Sequence, residues 1–187
     1  LIEAGVDVLV VDVLHGDSIG VLETIEQVKA MQRTIEMVKR LSRTVPVIGG
    51  NVATADATGR LIKAGADAVK VGYGDGALCT TRVETGTGAP QFTAVVESAA
   101  EAYRINRDVK IIADGSIQEG GDVLKAIVAG GNTVMVGTRL AGTDQSPGEV
   151  ILDDETGDRY KHIHGMASTE AQQKLAAARG EKPKDRV

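Results

Sequence analysis

Short apolar runs recur along the chain, each introduced by a helix-like tail and a glycine and each closed by Asp or Gly. Leu61-Ile62-Lys63-Ala64-Gly65-Ala66-Asp67-Ala68-Val69-Lys70-Val71 has this form, as do residues 2–11 and residues 124–136. Each reads as a helix end, a glycine stop and a short β-branched strand. Two further runs, residues 45–48 and 109–113, bring the strands to five. The expected order is strand 6–11, helix 20–42, strand 45–48, helix 55–64, strand 67–71, a glycine-rich loop, helix 91–104, strand 109–113, helix 119–129 and strand 133–136. Strands alternating with helices imply right-handed βαβ units and a parallel sheet.

Polar residues and glycines gather at the strand ends. Asp12 follows the first strand, Gly49-Gly50-Asn51 the second, Asp114-Gly115-Ser116 the fourth and Gly137-Thr138-Arg139 the fifth. Loading every C-terminal strand end is the habit of a barrel, whereas an open doubly wound sheet gathers its site at one switch point. The expected fold is therefore α/β, a (β/α)8 TIM barrel, with residues 1–150 supplying about its last five βα units. The chain starts at Leu1, inside an apparent helix end, and is expected to be a piece of a longer protein whose first three barrel strands lie upstream. Residues 151–187 are expected to add a short strand pair, a Gly-Met-Ala-Ser segment, a helix over 169–179 and a mobile tail. Residues 24–33 and 34–43 echo each other, predicting one long helix with a widened apolar stripe used for packing.

Composition narrows the picture. Hydrophobic residues make up 42% and charged residues 25% of 187, which suits a globular domain. With one Phe, three Tyr and no Trp, the core must be aliphatic, as where helices cover both faces of parallel strands. The single cysteine excludes an intramolecular disulfide and is compatible with a reducing, cytoplasmic setting. No run has the length of a membrane span, and a net charge of −5 argues against nucleic acid as a partner.

The candidate chemistry centres on Gly72-Tyr73-Gly74-Asp75-Gly76-Ala77-Leu78-Cys79-Thr80-Thr81-Arg82. Alternate glycines let such a backbone turn its carbonyls or amides toward a ligand. Cys79 needs help to act as a thiolate nucleophile, and Lys70, Arg82 and loop amides are the candidate sources of positive field. A flexible loop with an incidental cysteine is the alternative. Asp114-Gly115 suits a ribose diol, or else simply starts a helix. Gly137-Thr138 fits a phosphate site of the late barrel loops. Asp12 and Asn51 are candidates for a second nucleotide. His162 and His164 share one strand face, but no third metal ligand has suitable spacing.

The loop from Gly72 to Arg82, continued by Thr85-Gly86-Thr87-Gly88-Ala89-Pro90-Gln91, resembles the catalytic-loop signature of the IMP dehydrogenase and GMP reductase family. Gly49-Gly50-Asn51-Val52, Ile112-Ala113-Asp114-Gly115, Val134-Met135-Val136-Gly137, Ser146-Pro147-Gly148-Glu149 and Gly165-Met166-Ala167-Ser168 extend the resemblance in order along the chain. It implies a homotetrameric TIM-barrel oxidoreductase acting on IMP with NAD, or on GMP with NADPH. Cys79 would attack purine C2, with Thr81 beside the adduct. Asp114, Gly115, Ser116, Gly137, Thr138, Gly165, Met166 and Ala167 would bind the substrate nucleotide. Asp12, Asn51, Gly72 and Gly74 would face the cofactor, and carbonyls of Gly74, Gly76 and Cys79 would hold a potassium ion.

This chain departs from the family pattern in several places. Ala77 stands where Ser is usual, Ser116 where a second Gly is usual, and Ile163 where an aromatic is common. Asp75 replaces a common Pro, and Val13-Leu14 replaces small or hydroxyl residues. The dehydrogenase's Arg-Tyr flap pair has no counterpart at residues 180–183, and the reductase's Glu is displaced to Glu170. Ser146-Pro147-Gly148-Glu149 leans toward the dehydrogenase, and Val95-Val96-Glu97 and the missing flap toward the reductase. The dehydrogenase is the expectation, with the reductase or a catalytically impaired nucleotide-binding relative as the alternatives.

Overall fold

The computed structural model describes residues 4–39, 44–165 and 168–180, apart from the side chains of residues 35–39. Two compact units divide the chain: residues 1–76 with 80–136, and residues 77–79 with 137–187.

In the larger unit the elements run β1 (Leu9–Asp12), α1 (Ile19–Lys39), β2 (Val47–Val52), α2 (Ala55–Ala64), β3 (Ala68–Val71), α3 (Thr81–Thr85), α4 (Gln91–Ile105), β4 (Lys110–Asp114), α5 (Gly120–Val128) and β5 (Thr133–Met135). The five strands form one parallel sheet in sequence order, β1 to β5. This is the run of consecutive βα units that the glycine-punctuated pattern predicts. Local chemistry sets the boundaries. The Thr54 side chain caps α2 by accepting from the amide of Ala57, and Gly65 ends the helix at φ 104°. Asn132 fixes the start of β5, its side-chain oxygen accepting from Ile111 N while its own amide donates to Ile111 O, each at 2.8 Å.

The core lies on one face of the sheet, not on both as the composition suggests. Val47, Val69, Val71, Ile111 and Ala113 point into a cluster shared with Ile25 of α1, Leu61 of α2, Val95 of α4 and Ala126 of α5. Fully burying each Val, Ile or Leu side chain of this cluster contributes about 1.5–3 kcal/mol. Strand alternation turns Asp12, Gly50, Lys70 and Asp114 to the other face. One covered face and one polar face is the arrangement of a barrel wall.

Two strand expectations need correction. β1 covers residues 9–12 rather than 6–11 and is not buried: Val10 is 52% exposed. It lies at the sheet edge, with Val10 on the polar face. β2 does not stop at Ile48 but runs through Gly49-Gly50-Asn51 to Val52, because both glycines pair with β1 and β3. Helix α1 continues as one helix through both sequence echoes as far as Lys39, the rest lying outside the described residues. Its first copy packs inward through Ile25 and Gln32, whose Nε2 donates to Val45 O at 2.9 Å. No described helix is long and apolar enough to cross a membrane.

The smaller unit holds α6 (Thr138–Ala141), the antiparallel pair β6 (Val150–Leu152) and β7 (Arg159–Lys161), and α7 (Thr169–Arg179). The Lys161 ammonium donates to the carbonyls of Thr143 and Ser146 at 2.7 and 2.6 Å, tying the strand pair to the segment after α6. Ser168 caps α7 by accepting from Ala171 N. The expected mobile tail lies outside the described residues from 181 onward.

Candidate active site

On the polar face of the larger unit, four strands bring Asp12, Asn51, Lys70 and Asp114 together. Lys70 is only 4% exposed although it sits in the middle of β3. Its ammonium pairs with Asp114 Oδ2 and, at 3.1 Å, with Asp12 Oδ1. Asn51 Nδ2 donates to the same Asp114 oxygen at 3.0 Å. Two donors thus fix one edge of the Asp114 carboxylate. Asp114 ends β4 and does not cap a helix, since α5 begins six residues later behind Glu119. The helix-start alternative for Asp114 therefore falls.

Beyond β3 the chain makes the glycine loop. Gly72 has φ 154° and its Cα lies against the Asp114 carbonyl, where any Cβ would overlap. Gly115 has φ 121°, and a Cβ there would run into the Asp75 carboxylate. These glycines let the two strand ends touch. The contact half-buries Asp75 and leaves its Oδ2 without a hydrogen-bond partner among the described residues. Burial holds the Asp75 carboxyl above the usual carboxylate range, with the charge of Asp114 adding to it, against Arg82 and hydrogen bonds that favour the ion. Ser116, at φ 56° in the left-handed region, donates its hydroxyl to Asp75 O at 3.2 Å.

The loop's far side is pinned from α4. Gln91 Nε2 donates to Val71 O at 2.9 Å, and Ala89 N donates to Tyr73 O at 3.1 Å. The Arg82 guanidinium donates to Ala89 O, its stem against Gly74 and Gly88. Thr81 is the first residue of the short helix α3. After β1, Val13 exchanges backbone bonds with Gly50 and Asn51, Leu14 is exposed, and His15 meets the Tyr73 ring edge-on at 6.3 Å between centroids.

The smaller unit contains Cys79, which is half-buried, together with Gly137, Thr138 and Gly165. Within it, Leu78 O lies 3.1 Å from where a Cβ on Gly165 would stand. Gly137 immediately precedes α6, and Thr138 is its first residue. Met166 and Ala167 lie outside the described residues. β7 ends at Lys161, so neither His162 nor His164 sits on a strand face.

Two roles were not legible from the sequence. Lys70 was offered there as a source of positive field, whereas its ammonium is committed to two carboxylates. Its signal was a lone cation inside an apolar run. Asp75 was read as a departure from a loop pattern, with no hint of its burial against Gly115.

A parallel barrel wall with its polar constellation at the strand ends defines a TIM-barrel type of enzyme domain. The family model for the IMP dehydrogenase / GMP reductase domain matches residues 1–186. The inosine-5'-monophosphate dehydrogenase of Aquifex aeolicus (strain VF5) is 51% identical over 168 residues, covering 90% of this chain and 31% of that protein. That of Bacillus subtilis (strain 168) is 48% identical over 174 residues, covering 93% and 33%. A crystal structure of a cysteine-to-alanine variant of GMP reductase from Trypanosoma brucei, in complex with guanosine 5'-monophosphate, superposes with a TM-score of 0.86. It is 42% identical, and the match covers 98% of this chain and 36% of that one. The chain belongs to the IMP dehydrogenase / GMP reductase family and spans about a third of the length of the curated relatives it matches.

Proposed function

We propose that the protein containing this chain is a purine-nucleotide oxidoreductase of the IMP dehydrogenase kind, converting IMP to XMP with NAD. The observation that carries this reading is the 51% identity to an IMP dehydrogenase over 90% of the chain. The Cys79 loop and the ordered Asp114 carboxylate support it.

In this reading the Cys79 thiolate forms a bond to C2 of the purine, and the C2 hydrogen departs with its electron pair. Water then adds at C2 and the C–S bond breaks, releasing XMP and restoring the thiol. Thr81 stands beside the adduct. The family resemblance assigns Asp114 to the ribose hydroxyls, Gly115, Ser116, Gly137 and Thr138 to the phosphate, and Gly165, Met166 and Ala167 to the base. Asp12, Asn51, Gly72 and Gly74 form the cofactor side. The residues present fit a nicotinamide nucleotide: Asn51 Oδ1 is buried and has no hydrogen-bond partner among the described residues, which leaves it an acceptor for a ligand donor, and Asp12 offers a carboxylate with a 55% exposed side chain. NAD, when bound, supplies the hydride acceptor. The carbonyls of Gly74, Gly76 and Cys79 are hard neutral oxygens of the kind that suit potassium. The active form is a homotetramer in the cytoplasm.

A GMP reductase, which would convert GMP to IMP with loss of ammonia and NADPH as the hydride donor, is the second reading, favoured by the structural likeness to a GMP-bound reductase. Incubating the full-length protein with IMP and NAD, or with GMP and NADPH, and following the absorbance of the reduced cofactor separates the two. Turnover in the first assay that is lost in Cys79→Ala is expected. No turnover in either assay overturns the oxidoreductase reading.

A further inference from the structure

We infer that Lys70 is a positioning residue that couples the two nucleotide half-sites, holding Asp12 and Asp114 through one ammonium; the inference rests on the oxidoreductase reading above. Lys70 is the one charged residue among the buried polar residues of the described chain. An unpaired ammonium so placed costs several kcal/mol, and pairing recovers this only where the geometry is good. A hydrophobic side chain would serve packing at this position at least as well. The lysine therefore needs a reason beyond stability.

Strand register supplies the reason. Asp12 of β1 lies beside Gly50 of β2, which lies beside Lys70 of β3, so the three form one row across the sheet. Strands are spaced at about 4.8 Å. Lys70 thus reaches Asp12 across an intervening strand, over the one residue of the row that has no side chain. On its other side Lys70 meets Asp114 from β4, where Asn51 also donates. The proposed cofactor carboxylate and the proposed ribose carboxylate share a single cation. A ligand that donates hydrogen bonds to Asp12 relieves its claim on the ammonium and leaves Lys70 more fully on Asp114. The Asp114 carboxylate is then held in place for the second ligand, which makes the coupling positive and reciprocal.

The test is calorimetric titration of IMP into the full-length protein, with and without saturating NAD, in a Cys79→Ala background that prevents turnover. NAD is expected to tighten IMP by about fivefold or more in that parent. Lys70→Met should weaken each ligand by about tenfold or more and abolish the mutual tightening, and Lys70→Arg should recover part of it. Asp12→Asn should change the affinity for IMP, although Asp12 lies on the cofactor side. A purely structural lysine gives a different result: weaker binding with the coupling factor intact. An unchanged coupling factor in a folded Lys70→Met protein overturns the inference. If that variant does not fold, unchanged IMP affinity in Asp12→Asn overturns it instead. A parent that binds neither IMP nor GMP overturns the oxidoreductase reading and this inference with it.

Discussion

Gly50 stands directly beside Lys70 in the β2–β3 ladder, and a Cβ on Gly50 would lie 2.7 Å from Lys70 Cβ and 2.8 Å from Lys70 O. Neither neighbour is the free end of a flexible chain, so the strand has no room to yield. Gly50→Ala is expected to destabilise the protein by about 1–3 kcal/mol through overpacking. Urea unfolding followed by circular dichroism checks this. A loss under half a kcal/mol would mean the strands part more easily than their pairing indicates.

Gly115 combines a left-handed backbone with the Asp75 carboxylate at its Cα. Gly115→Ala therefore pays for both, at roughly 1–3 kcal/mol for the backbone alone. Adding Asp75→Gly should restore the steric part and leave the backbone part. A double variant no more stable than Gly115→Ala would show that the carboxylate is not the obstacle.

Asp75 also predicts a pH dependence. Its folded carboxyl titrates above the ordinary value of 3.8, chiefly through burial. Between those two values the folded state holds the proton that the unfolded chain has lost, so the contribution of Asp75 to stability declines as pH rises through this interval. Above it the cost is fully present. Asp75→Asn is accordingly expected to be more stable than the parent at pH 7, with the difference fading as pH falls toward 3.8. Asp17 behaves oppositely: its hydrogen bonds to Arg60, at 2.6 Å each, hold its carboxyl below the ordinary range. Its contribution is present above 3.8 and is lost as pH falls through its lowered folded value. Melting temperatures of both Asn variants from pH 3 to pH 8 separate the two signs.

Ser98 of α4 and Thr58 of α2 are both fully buried and their hydroxyl oxygens lie 2.9 Å apart, a polar clasp between the two helices. Ser98→Ala is expected to cost about 1 kcal/mol, the net worth of one hydrogen bond, because the Thr58 hydroxyl keeps the Thr54 carbonyl as a partner at 3.0 Å. Thr58→Val added to it should cost less than it does alone. Strict additivity in the double-mutant cycle would mean the two hydroxyls do not interact.

The alternation of strands and helices was legible because each unit carries its own local punctuation, as at Gly65 and Asn132. Gly49-Gly50 misled for a physical reason. Glycines read locally as a loop, but here they answer to Ile25, Leu61 and Lys70, which arrive from other elements. The helices α3 and α6 are too short to show a period. The Lys70 pairs were hidden because they depend on register between strands far apart in sequence. The candidate residues at strand ends were visible, since a polar residue closing an apolar run stands out whatever it contacts. Asp75 had no such contrast within a loop of glycines.

The alternation that sets Lys70 between Val69 and Val71 makes this strand its own proofreader. A slip of one residue in β3 would drive the ammonium into the aliphatic core and bring two valines out to face Asp12 and Asp114. Such a chain would lose its packing and its polar constellation in the same step. Misaligned copies should therefore be culled as unstable rather than persist as folded but inactive protein.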